Sequence, residues 1–159
     1  MIFETPTHYF LCAGSAEGYS SLNAFDQALI DAGVGDVNVV RLSSILPPGC
    51  TKVESFDLPG GALVPVAYSE TRSSKACETI SAAVAVAVPE DPTKPGLIME
   101  HHGPAPLEEV TDIVRQMALE GMEHRQRPVA DVICVGAEHV VERHGAVFAG
   151  VVLWNGDES

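Results

Sequence analysis

The chain has 159 residues and a mass of 16.8 kDa, with 46% hydrophobic and 19% charged residues. That supports one folded domain spanning 1–159 with its own core and speaks against both a disordered chain and a two-domain one. Lys and Arg number 9 against 22 Asp and Glu, a net charge of −13, and such a field repels phosphate backbones and anionic lipid, so neither nucleic acid nor a membrane surface is expected as a partner.

The opening Met1-Ile-Phe-Glu-Thr-Pro has no Lys or Arg before its short apolar run, which argues against a secretory leader. No apolar stretch is long enough to cross a bilayer, and a cytoplasmic location is expected. Residues 8–13 (HYFLCA) predict a strand, and Gly14 to Gly18 a loop. Ser20 or Ser21 caps a helix over 22–32, which Gly33 ends. A strand follows over 36–44 (DVNVVRLSS), then a stiff turn at Pro47-Pro48-Gly49. Residues 62–69 and 79–88 read as strands, the second ambiguous with helix because of its alanines, and 96–101 as a strand buried on both faces. Pro104 and Pro106 introduce a second helix whose apolar stripe is Leu107, Val110, Val114, Met117, Ala118 and Gly121. Strands at 131–136 and 146–154 close an α/β chain in which a β-α-β-β order occurs twice, as in sheets covered by helices.

Several side chains stand out. Leu22, Phe25, Leu29 and Ile30 define an apolar stripe on the first helix, with Asp26 inside it and Asp31 outside. An inward carboxylate needs a partner, either a structural ion pair with an arginine such as Arg41 or a cationic ligand group. Glu100 ends the apolar run Leu97-Ile98-Met99; apolar surroundings would keep its carboxyl protonated and suit a proton donor, the alternative being a satisfied strand-end glutamate. His101 and His102 are strand neighbours that point to opposite faces, and His139 and His144 match no zinc spacing, so no metal is expected. Gly14-x-x-x-Gly18 lacks both the Lys-Ser/Thr of a P-loop and the third glycine of a dinucleotide fingerprint. Cys12, Cys50, Cys77 and Cys134 form no Cys-x-x-Cys and read as buried free thiols. Of three Ser-Ser pairs, Ser43-Ser44 alone ends a strand and precedes Ile45-Leu46-Pro47-Pro48, a stiff segment able to hold a hydroxyl against its own preceding carbonyl.

The strings Leu22-Asn23-Ala24-Phe25-Asp26, Val37 through Pro48 and Gly61 through Tyr68 resemble the pyruvoyl-dependent arginine decarboxylases. Glu78 through Ala83, Gly96 through Glu100 and Ala146 through Trp154 extend the resemblance over nearly the whole chain. Ala76-Cys77 stands where that family has Pro-Gly, and His101-His102 where it has an aromatic and often an acidic residue. The resemblance implies a four-layer αββα sandwich and a proenzyme that cuts itself between Ser43 and Ser44, with strain and an oxyanion donor assisting. It yields a β chain, 1–43, and an α chain, 44–159, the latter blocked by a pyruvoyl group made from Ser44. That group, in place of pyridoxal phosphate, would serve the decarboxylation of L-arginine to agmatine and carbon dioxide, in polyamine synthesis or acid resistance. Glu100 would be the proton donor, Asp26 the partner of the guanidinium, and Asn38 a hydrogen-bonding residue near the reacting group. Six residues of extended strand span about 20 Å, so Asn38 and Ser44 of one strand stand apart unless the chain folds back. The trimeric assembly of the family, with sites at subunit interfaces, would resolve this. Two other readings are the same chemistry on another amino acid such as histidine, and an unprocessed, non-catalytic binding protein.

Overall fold

The structure, a computed structural model, describes residues 3–156. In chain order the elements are β1 (His8–Glu17), α1 (Ser21–Asp31), β2 (Asn38–Arg41), β3 (Ile45–Leu46), β4 (Thr51–Lys52) and β5 (Leu63–Ser73). They continue with β6 (Thr79–Pro89), β7 (Gly96–Gly103), α2 (Leu107–His124), β8 (Val129–Val140) and β9 (Gly145–Trp154). Five strands form one sheet in the order β2-β5-β9-β1-β4, and four form a second in the order β3-β7-β6-β8.

The layering follows from strand alternation, which sends successive side chains to opposite faces. On β6, Ile80, Ala82, Val84 and Val86 join the core between the sheets, while Ala83, Ala85 and Ala87 lie under α2 with Val110, Val114, Ala118 and Met122. On β9, Val147, Ala149, Val151 and Leu153 face the other sheet, while Ala146, Phe148 and Val152 pack beneath α1. Each sheet thus has a helix outside and its partner inside, which is the four-layer αββα sandwich. The alanines of β6 are strand residues because both faces of this central strand are covered, and small side chains let α2 approach. The doubled β-α-β-β is one of order only: β2 and β3 lie in different sheets, as do β8 and β9.

The helix ends are chemically marked. Ser20 caps α1 by accepting from Asn23 N at 3.2 Å, and Gly33 follows at φ +85°, a left-handed conformation that suits glycine. α2 starts after Pro106, which has no capping side chain; Glu138 on β8 supplies the missing acceptor to Leu107 N at 2.8 Å.

Three expectations need correction. Gly14 to Gly18 is not a loop from its start: β1 runs on to Glu17. Gly14 is required there by contact, since a Cβ would stand 2.2 Å from the Ala28 carbonyl oxygen of α1. The buried face of α1 is Ala24 and Ala28, flanked by half-buried Phe25 and Leu29, whereas Leu22 and Ile30 are 66% and 50% exposed. The strand predicted over 36–44 forms only over Asn38–Arg41, because the chain then leaves that sheet. Among the cysteines, Cys12 is buried, Cys50 and Cys134 are half-buried and Cys77 is exposed.

Candidate active site

Leu42, Ser43 and Ser44 carry the chain from one sheet to the other. Leu42 N donates to Val66 O at 3.0 Å, continuing the parallel pairing of β2 with β5. Ile98 N donates to Ser44 O at 2.7 Å, continuing the antiparallel pairing of β3 with β7. The bond between the two serines is therefore tethered to one sheet on its upstream side and to the other on its downstream side. Buried Leu46 anchors β3, and Pro47-Pro48, which cannot extend a ladder, ends it. Ser43 is exposed and Ser44 half-buried. Left-handed non-glycine residues among the described residues are Cys77 and Gln126, so the serine pair is held by its tethers and not by left-handed backbone strain.

Glu100 lies on the same strand as Ile98, two residues or about 7 Å further along and on the same face. Its Oε1 accepts from Arg41 Nη2 at 2.8 Å, so this ion pair bridges the two sheets where the serines cross between them. Arg41 also donates to the Tyr68 carbonyl at 3.0 Å, and its guanidinium lies 4.6 Å from the Tyr68 ring centroid. The hydrogen bond to Glu100 raises the proton affinity of the guanidinium still further. The other carboxylate oxygen, Oε2, is buried with no hydrogen-bond partner. The expected apolar setting of Glu100 is thus corrected to a charge pair with its side chain 31% exposed. Arg41, a candidate partner of Asp26, belongs to Glu100 instead.

Asp26 does not point inward. It is exposed on the outer face of α1, because the close approach to β1 is made by Ala24 and Ala28. The acid of this helix with a structural task is Asp31, which accepts from Ser15 N at 2.9 Å. Asn38 begins β2, exposed; its Nδ2 donates to Gly61 O at 3.0 Å and steadies the turn before β5. The fold therefore gathers Ser43, Ser44 and Glu100 at one edge, and leaves Asp26 and Asn38 elsewhere on the chain. At this edge sequence reasoning gave Arg41 the wrong partner and passed over Tyr68. The available signal was one of only 9 basic residues lying two positions before the serine pair.

The histidines serve other places. His102 Nδ1 lies 3.3 Å from Ser69 Oγ, with its ring centroid 6.5 Å from that of His101. His144 Nδ1 meets Ser74 Oγ at 2.8 Å, and His139 Nε2 lies 3.2 Å from Glu17 Oε2. No helix among the described residues is long and apolar enough to cross a membrane.

Comparison with known proteins gives concordant results. The chain is 46% identical over 152 residues to the pyruvoyl-dependent arginine decarboxylase of Methanocaldococcus jannaschii, covering 96% of this chain and 92% of that one. It is 37% identical over 157 residues to the protein of the same name from Pyrococcus horikoshii, covering 97% and 99%. Among solved structures, a pyruvoyl-dependent histidine decarboxylase superposes with a TM-score of 0.53 at 14% identity, which shows a shared fold alone. The match takes in 65% of this chain and 55% of that one, so the likeness spans little more than half of the histidine enzyme chain. The family profile for pyruvoyl-dependent arginine decarboxylase (PvlArgDC) matches residues 8–158. With a family match over nearly its whole length and relatives at these identities, the chain belongs to the pyruvoyl-dependent arginine decarboxylases, lyases that work through a covalently bound pyruvoyl group.

Proposed function

We propose that this chain is a proenzyme of one domain, 1–159, that cuts itself between Ser43 and Ser44 and then decarboxylates L-arginine to agmatine and carbon dioxide. The observation that carries the reading is the tethering of that one linkage across the gap between the sheets. With Leu42 fixed on one side and the Ser44 carbonyl on the other, the linkage is held in place while the adjacent Ser44 hydroxyl is within reach of the Ser43 carbonyl. Its Oγ attacks that carbon, and the peptide C–N bond breaks to give an ester and a free amine. Loss of the proton from Cα of residue 44 and rupture of its Cβ–O bond release Ser43 as a carboxylate. The dehydroalanine left at position 44 takes up water and loses ammonia, leaving the pyruvoyl group.

The orphaned Oε2 of Glu100 supports a site completed by such a group and its substrate, since a buried carboxylate oxygen ordinarily has a partner. Once formed, the pyruvoyl group acts as the electron sink for the bond that loses carbon dioxide, without pyridoxal phosphate or a metal. Glu100 delivers the proton that replaces the lost carboxylate on the substrate's α-carbon. Asp26 takes the substrate guanidinium in a fork that matches its two oxygens, and Asn38 supplies an amide hydrogen bond beside position 44. Exposed Asp26 and Asn38 serve a neighbour's Ser44 in a cyclic homotrimer. Val40, Ile45 and Leu63, each at least 43% exposed, support contact at this edge, where β2 and β3 are both terminal strands. Free thiols at all four cysteines fit a reducing cytoplasm.

Intact-mass analysis of the purified protein tests the reading. Two fragments are expected, 1–43 and 44–159, the larger beginning with a carbonyl rather than an amine. A single uncut chain would overturn it. Carbon dioxide release measured across arginine, ornithine, lysine and histidine then decides the substrate, and release from histidine but not arginine would move the assignment.

A further inference from the structure

The pair Arg41–Glu100 joins the two future fragments, for Arg41 lies before the Ser43–Ser44 bond and Glu100 after it. Resting on the cleavage reading above, we propose that Arg41 is a positioning residue that occupies Glu100 while the chain is whole and transfers to the new Ser43 carboxylate after cleavage, freeing Glu100 for the reaction.

Three observations carry this. First, Arg41 is independently posted at the edge, by its hydrogen bond to the Tyr68 carbonyl and its stacking on that ring, so it stays in place when Glu100 departs. Second, the exchange is short. The carboxylate produced by β-elimination belongs to a residue only two positions from Arg41, a backbone span of at most about 7 Å. Third, the existing pair is exchangeable: the two side chains are 54% and 31% exposed, and ion pairs at such exposure contribute little.

The charge balance favours the exchange. In the whole chain one guanidinium faces Glu100, with Tyr68 and Glu70 on β5 and His102 two positions further along β7 as the other titratable groups of this region. Cleavage adds a carboxylate and no cation. Two carboxylates then compete for one guanidinium, and the one that loses it is left without its ion-pair partner. A proton donor must be free to face the substrate, and in the uncut chain Arg41 occupies Glu100 instead.

The test compares the cleaved wild-type protein with Ser44→Ala, which stays whole. Crystal structures should show Arg41 on Glu100 in Ser44→Ala and on the Ser43 carboxylate in the cleaved protein. In solution, the 15N resonances of the Arg41 guanidinium give a second readout. Glu100→Gln should shift them in the Ser44→Ala background and leave them in place in the cleaved protein. A purely structural role for Arg41 would give the same response in both. Arg41 still bonded to Glu100 after cleavage, with resonances that respond to Glu100→Gln in both forms, would overturn the exchange while leaving cleavage and catalysis as proposed. Wild-type protein that remains one chain by mass would overturn the exchange and the cleavage reading together. No Arg41 variant is required, so its folding does not bear on the outcome.

Discussion

Glu17 and Glu100 are two acids of similar exposure in different sheets, and the buried Oε2 of Glu17 lies 3.2 Å from His139 Nε2 while that of Glu100 has no partner. The larger difference is in what holds the other oxygen. Glu17 Oε1 accepts from the backbone amides of Glu142 and Arg143 at 2.6 and 2.7 Å, pinning the turn between β8 and β9 to the end of β1. Glu100 Oε1 accepts from a long, half-exposed arginine side chain. Backbone amides in a tight turn cannot move away without unfolding the turn, whereas a guanidinium can rotate off. The first acid is built into the fold; the second is held on loan. A buried carboxylate becomes a candidate for chemistry when its partner is removable, more than when it is merely desolvated.

Four substitutions test how far this contrast goes. Glu100→Gln should lower turnover by roughly 10²-fold or more, the usual general-acid contribution, with little change in Tm; steady-state carbon dioxide release checks it, and unchanged turnover would remove Glu100 from its role. Glu17→Ala should do the reverse, costing about 1–3 kcal/mol of stability in a urea titration as two amides lose their acceptor, with turnover of the surviving folded protein kept. Asp26→Asn, at an acid exposed on α1, should raise KM for arginine by about tenfold and leave stability unaltered, as loss of a charge-assisted hydrogen bond would. The smallest effect concerns pH. Burial works against ionisation of Glu17, but the amides of Arg143 and Glu142 and the His139 ring outweigh it and hold the carboxyl below its ordinary value of 4.5. A depressed carboxylate stabilises the fold above that ordinary value and loses its contribution as pH falls through the lower, folded value. Glu17→Gln should therefore flatten the acid side of the Tm–pH curve below about pH 4.5 and leave the neutral range alone.

Part of the layering was legible: the unbroken apolar run 146–154 reads as a buried strand, and the stripe from Val110 to Gly121 names the inner face of α2 directly. The face of α1 was not, for a physical reason. Reading large apolar residues as the buried stripe misses a helix that packs through its small ones. Ala24 and Ala28 meet Gly18 and Gly14, where a Cβ would stand 2.3 and 2.2 Å from α1 backbone atoms, so closeness rather than side-chain area defines that contact. Asp26 was misplaced with it. At the candidate site the serine pair was conspicuous from its setting, but its tethers were not, since Val66 and Ile98 are distant in sequence and act through backbone atoms. The partner of Glu100 lies 59 residues away in the other sheet, beyond the reach of any local pattern.

The place of β1 has a mechanical consequence. It lies between β9 and β4 and pairs with β9 along its full ten residues, from His8 opposite Trp154 to Glu17 opposite Gly145. Both neighbours come from sequence beyond residue 44. A nick at the crossover therefore cannot shed the smaller piece, which is woven into the fabric of the larger, and the severed molecule keeps its shape as a garment does when one stitch at the hem is cut.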